Sequence, residues 1–284
     1  MTLQLLSTPP ISTKTSNRQY WGQLFGSAQA LTIVNAARAY NGLSLVITAD
    51  TSAAIRMESE LTFFVQGENS LPVLHLADWE TLPYDTISPH QDIISERLST
   101  LYKLPTVKQG ILVVPVTTLL QRLMPHSYLI GNSLMLSVGE TLDANQLRQN
   151  LERAGYHCVD TVYEHGEFAV RGSLMDIYPM GSELPYRIDL FDDEIESLRT
   201  FDPETQITID KVDKIQLLPA KEFPLNKTGI SLFKQKWLER FDVNHKACPV
   251  FQDISAGISP PGIEYYLPLF FDACSTLFDY LPTE

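Results

Sequence analysis

Cysteine is scarce in this chain: Cys158, Cys248 and Cys274 are the only three, far apart and without a CxxC pair. That spacing argues against both a disulfide framework and a structural zinc site, and it fits a reducing cytoplasm. Long apolar runs are also missing. No window approaches the roughly 18 uninterrupted apolar residues of a membrane span. The N-terminus, MTLQLLSTPPISTKTSNRQYW, has no charged region followed by an apolar core and cleavage site, so neither membrane nor secretory pathway is expected. Internal repeats and low-complexity tracts are absent.

Positive charge is in deficit. The formal net charge is −13 and the pI about 4.9, a balance that repels nucleic-acid phosphates wherever it is evenly spread. Direct DNA binding by this chain alone is therefore not expected.

The usual signatures of catalysis are lacking as well. No two of the six histidines have the i, i+4 spacing that sets a pair of imidazoles on one helical face for zinc, and no GxSxG marks a nucleophile elbow. The only candidate phosphate-binding loop is LFGSAQA, with Gly26, Ser27 and Gln29 but neither the lysine that grips β/γ-phosphates nor a following Ser or Thr for magnesium. His165 reads as a turn residue or a proton shuttle beside Glu167. Asp192-Asp193-Glu194 reads as a solvated turn or a set of oxygen ligands. No metal, no cofactor and no catalytic residue is assigned.

What the sequence does contain is enough apolar material, 44% of 284 residues, for two domains or for one large domain with an insertion. Helical spacing runs from Tyr20 to Tyr40, followed by a strand at Leu43–Thr48 whose apolar run suggests burial on both faces. A helix over Ser52–Val65 and strands at Val73–Leu76 and Ile111–Val116 complete an alternation that points to a parallel, three-layer α/β domain. Between those strands Ser88, Pro89 and Gln91 form a capping-box start for a helix with Ile94, Leu98 and Leu101 on its buried stripe. A strand is expected at Leu134–Val138. Asp143 and Gln146 then cap a helix with an apolar face of Leu147, Leu151 and Ala154, closed by Gly155. Strand Cys158–Tyr163 leads into an antiparallel meander. A strand at Ile215–Leu218 and a helix over Ile230–Phe241 follow. The apolar tail LPLFFDACSTLFDYL either packs back on the first domain or stops just short of another strand.

The meander is the most informative stretch. Phe168–Tyr178, Tyr186–Phe191 and Ile195–Phe201 read as three strands. In the second, Arg187, Asp189 and Phe191 alternate with Tyr186, Ile188 and Leu190. A loop centred on Ser182 sets residue 173 opposite Phe191 and brings Arg171 beside Arg187 and Phe191, though it also places Met175 and Ile177 on that face unless a bulge intervenes. The segment from Glu164 to Phe201 carries a local charge of −6. Two arginines around a phenylalanine in an acidic field have the composition of a protein-binding patch. The alternative is a phenylalanine sunk in a core with the arginines paired to the acids between Asp192 and Glu196.

The strings LADWETLPYD, SPHQDIISERLSTLY, EHGEFAVRG, YPMGSELPYRIDLFDDEIESLRTFD and GIEYYLPLFF resemble the N-terminal, UvrB-like module of bacterial transcription-repair coupling factors, from about Gly22 to Phe271. The resemblance implies a degenerate RecA-like α/β domain (1–132, continued at 214–284) interrupted by a small α+β domain (133–213) that recruits the damage-recognition protein UvrA. It carries the UvrA contacts onto Arg171, Arg187 and Phe191, with Asp189 and Arg199 on the rim. It implies a non-catalytic adaptor of transcription-coupled DNA repair, its UvrA face covered by a C-terminal domain of the longer protein. RNA polymerase and DNA would be contacted only through modules beyond this chain. The competing expectation is a nucleotide-binding RecA-like domain using a non-standard loop near Gly26.

Overall fold

In the computed structural model, residues 18–67 and 70–282 are described; most of the N-terminal stretch read for targeting signals lies outside them. In chain order the helices are α1 (Ala28–Ala39), α2 (Thr51–Val65), α3 (Gln91–Lys103), α4 (Val116–Leu119), α5 (His126–Gly131), α6 (Ala144–Arg153), α7 (Lys227–Arg240) and α8 (Pro249–Ser255). The strands are β1 (Leu43–Thr48), β2 (Val73–His75), β3 (Gly110–Pro115), β4 (Leu134–Ser137), β5 (His157–Cys158), β6 (Glu167–Arg171), β7 (Leu174–Ile177), β8 (Tyr186–Phe191), β9 (Glu194–Phe201), β10 (Thr208–Val212) and β11 (Lys214–Leu217). The fold is α/β, and the chain divides into two compact units. One holds the stretch up to Asp78 with Lys103–Gln121 and the last residues from Leu281; the other holds Trp79–Tyr102 and Arg122–Tyr280. Among the described residues no helix is long and apolar enough to cross a membrane.

The first unit is built on a parallel sheet in the order β1-β3-β2. Its central strand β3, GILVVP, is buried along its whole length, as a continuous apolar run requires when both faces are covered. Strand β1 has the predicted boundaries but lies at the sheet edge, with Ile47 half exposed, so its apolar run does not mean burial on both faces. Ala30, Val34 and Ala37 of α1 share a core with Ala54, Leu61 and Val65 of α2 and with Ile111 and Val113. Asp50 starts α2 by accepting the Ala53 N–H at 2.7 Å. Helix α1 begins eight residues later than its periodicity suggests. Gln23 and Gly26 hold φ of 60° and 54°, a left-handed conformation that interrupts helical winding.

The second unit carries a sheet in the order β10-β9-β8-β7-β6-β5, antiparallel except for β5 beside β6, and a two-stranded ribbon of β4 with β11. Helix α6 starts as expected: Asp143 accepts the N–H groups of Asn145 and Gln146 at 2.9 and 3.0 Å, and Leu147 and Leu151 are buried. Helix α3 does not start at Ser88. Ser88 Oγ instead donates to Glu264 Oε2 at 3.1 Å and accepts the Gly262 N–H at 3.2 Å, so a tertiary bond displaces the local cap, while Ile94, Leu98 and Leu101 form the buried stripe. Strand β5 covers only His157–Cys158, shorter than the expected Cys158–Tyr163. The apolar tail packs within this unit: Leu267, Phe270, Leu277 and Tyr280 are buried, Tyr280 donates to Met124 O at 2.8 Å, and Leu123 bridges to Ser275.

Two buried residues tie this unit across long stretches of chain. Glu222 accepts from Trp79 Nε1 at 2.8 Å and from Arg97 Nε at 3.0 Å, with Arg97 stacked over the Trp79 ring at 4.9 Å. A charge pair buried to this degree stays only when its donors and acceptors are met.

Candidate functional site

The expected first strand of the meander is a hairpin. Gly172, at φ 63°, and Ser173 turn the chain between β6 and β7, a left-handed turn that glycine makes without strain. The register differs from the expected one by a single residue. Asp176, not Ile177, lies opposite Arg187, and Leu174 lies opposite Asp189. Because side chains alternate across a strand, this slip exchanges the two faces of β7: Met175 and Ile177 go to the buried side, and Asp176 joins the arginines. The loop from Tyr178 to Pro185, centred between Gly181 and Ser182, sets that parity.

Pairing then lays out one face in rows. Ala169, Asp176, Arg187 and Arg199 form one row across β6 to β9; Arg171, Leu174, Asp189 and Ser197 form the next; Phe191 opposite Glu194 forms the last. The rows are about 7 Å apart, two residues along a strand.

The first row is the covered end. Phe201 and Ala169 share a small core with Val162 and Tyr178, and Arg187 lies over the Phe201 ring at 4.8 Å. Asp176, only 3% exposed, accepts Arg187 Nε at 2.7 Å and Nη2 at 3.0 Å, and also Arg171 Nη2 at 3.2 Å. The bidentate bond raises the Arg187 pKa above the ordinary guanidinium value, against the effect of burial. One buried carboxylate thus gathers both arginines. Farther along, Asp189 accepts Arg199 Nη2 at 2.9 Å, and Ser197 Oγ accepts from the same guanidinium.

The last row is open. Phe191 is 69% exposed, immediately before the Asp192-Asp193 turn, in which Asp192 holds φ 52°. The arginines pair with Asp176 and Asp189 rather than with the acids of that turn. Arg171 keeps about half of its side chain in solvent and Arg187 about a fifth. The face therefore grades from a charge-neutralised base, where the Arg171 guanidinium turned toward Asp176 is half exposed, to a bare aromatic tip. A large apolar ring held in water on the same sheet face as a half-exposed guanidinium is chemically suited to docking another protein. Sequence reading missed Asp176, which its assumed register had turned away. An acid alternating with Met175 and Ile177 was the available signal.

The remaining candidates fall elsewhere. Gly26, Ser27 and Gln29 lie at the start of α1, where Ser27 makes no side-chain cap, and among the described residues no strand leads into them. His165 is a tertiary link rather than a turn residue alone: Nδ1 meets Asp92 Oδ1 and Nε2 meets Ser182 O, each at 2.8 Å, while the ring stacks on Tyr178 at 4.0 Å. Glu167 is occupied by the N–H groups of Tyr163 and Glu164.

Residues 134–223, which contain this face, match the family model of the UvrB interaction domain. Over 272 residues the chain is 48% identical to a transcription-repair-coupling factor of Escherichia coli (strain K12), covering 95% of this chain and 23% of that protein. Against the Haemophilus influenzae protein of the same name the identity is 46% over 277 residues, 97% of this chain and 24% of the relative. The Staphylococcus aureus one is 35% identical over 192 residues, 68% of this chain and 16% of the relative. The chain spans about a quarter of the length of the first two relatives. Over nearly its whole length it matches the N-terminal region of transcription-repair-coupling factors, with a UvrB interaction domain within that match.

Proposed function

We propose that this chain is a non-catalytic adaptor module of transcription-coupled DNA repair that binds UvrA through the face ending in Phe191. The observation that carries the reading is the exposed ring at the tip of β8, set on a base of arginines fixed by Asp176, within the segment that matches the UvrB interaction domain. In this proposal Phe191 fills an apolar pocket on UvrA and Arg171 bonds a carboxylate or carbonyl beside it. Arg187 contributes an edge from its anchored position, and Asp189 and Arg199 form a rim. Contacts with RNA polymerase and DNA belong to segments this chain does not span, and a further segment of the longer protein covers the face until it is needed.

The test is calorimetry of the chain with UvrA. Phe191→Ala and Arg171→Ala are each expected to weaken binding by about 2 kcal/mol, roughly thirtyfold, while the melting temperature stays near that of the parent. If both variants bind UvrA as the parent does, the site lies elsewhere.

A further inference from the structure

The second unit contains a cleft of about 740 Å³, lined by the start of α3, the end of α6, residues 220–226 and residues 257–264. It is remote in sequence from the Phe191 tip and has no part in the proposed adaptor reading. Its volume falls within the range of small-molecule sites, roughly 300–1,000 Å³. Ile87, Ile94, Phe223, Leu225 and Ile258 supply apolar wall, and Ile87 and Ile258 are more than half exposed.

The charged groups in the cleft are unequally engaged. All three acids are occupied: Glu222 by Trp79 and Arg97, Glu264 by Ser88, and Glu152 by Arg148 at 3.1 Å. The three bases, Lys221, Arg153 and His157, line the same cleft, and among the described residues their side chains make no hydrogen bond. Lys221 reaches into it with its stem along Gly155 and its ammonium 5.8 Å from the Phe223 ring centroid. Burial pushes the Lys221 pKa down despite the attraction of Glu264. Burial and then the neighbouring Lys221 push that of His157 down. Burial pushes the Glu264 carboxyl up, toward its neutral form. A partly buried lysine and two exposed bases at the mouth, their donors unused, beside acids already satisfied or neutralised, favour an incoming negative charge.

We infer that this cleft binds a small organic anion, its carboxylate or phosphate head held by Lys221, Arg153 and His157 and its apolar body against Phe223, Leu225 and Ile258. Each base then gains the charge-assisted hydrogen bond it lacks. Such a ligand bridges α3, α6 and the 257–264 loop, so its binding stiffens this unit.

Phenyl phosphate and benzoate serve as anionic probes and benzylammonium as the cationic control, in thermal-shift and calorimetric titrations of the chain at moderate salt. At least one anion is expected to bind one-to-one and raise the melting temperature, with affinity about tenfold lower in Lys221→Met; the cation is expected to give no saturable binding. Arg153→Gln, at an exposed position that leaves the fold intact, weakens the same anion and keeps the test open if Lys221→Met folds poorly. The stronger anion identifies the head group. Anions binding no better than benzylammonium, or both variants binding like the parent, would overturn the site.

Discussion

At the scale of single residues, the face divides its tasks between Asp176 and Phe191. Removing the Asp176 carboxylate leaves Arg187 largely buried without its partner, so Asp176→Ala is expected to cost about 3 kcal/mol in urea unfolding, whereas Phe191→Ala stays within about 0.5 kcal/mol. The two variants separate a residue that builds the face from one that uses it. Glu264 gives a pH signature. Its pKa is raised by burial, so the stability it contributes is fully present below the unfolded carboxyl value and is lost as pH climbs through the folded one. Relative to the parent, Glu264→Gln is therefore expected to gain stability between acidic and neutral pH, with the gain vanishing at low pH; thermal melts across that range check it. His157 runs the opposite way. Its lowered pKa removes stability as pH falls through the folded value, below the ordinary 6.5, and His157→Gln should flatten that acid limb.

At the scale of elements, sequence pattern reads well where the information is local. The Asp143 cap, the α6 stripe of Leu147 and Leu151 and the Leu43–Thr48 strand are each set by side chains within a few positions of one another, and each forms as expected. Patterns fail where the deciding partner is distant. Ser88 has the chemistry of a cap, yet Glu264 and Gly262 claim its hydroxyl. Alternation places Arg171, Arg187 and Phe191 on one face, but the register is not legible, since the loop after β7 centres between Gly181 and Ser182 rather than on Ser182 and a turn at Gly172 splits a run that looks continuous. Element junctions also depend on backbone shape. Gly262, at φ 78°, places its Cα where an added Cβ would lie 2.2 Å from Asp85 O. Gly262→Ala combines that clash with left-handed strain and is expected to cost about 2 kcal/mol or more by urea unfolding. A neutral result would show that the 80–90 loop moves aside freely.

At the scale of the whole molecule, the charge of −13 and the parallel sheet of the first unit bear on the competing nucleotide-binding reading. With Gly26 and Ser27 at the mouth of α1 and no lysine in the stretch LFGSAQA, millimolar ATP with magnesium is expected to leave the melting temperature unchanged; a clear upward shift would restore that reading. Alternation announced a parallel sheet and the meander announced an antiparallel one, but nothing in the pattern of Trp79–Tyr102 says that it joins the second unit.

The Arg97–Glu222 pair, 125 positions apart, orders events during synthesis. The contact among Trp79, Arg97 and Glu222 can close only after residue 222 has left the ribosome, so the burial of Glu222 joins distant stretches of the second unit rather than neighbouring elements.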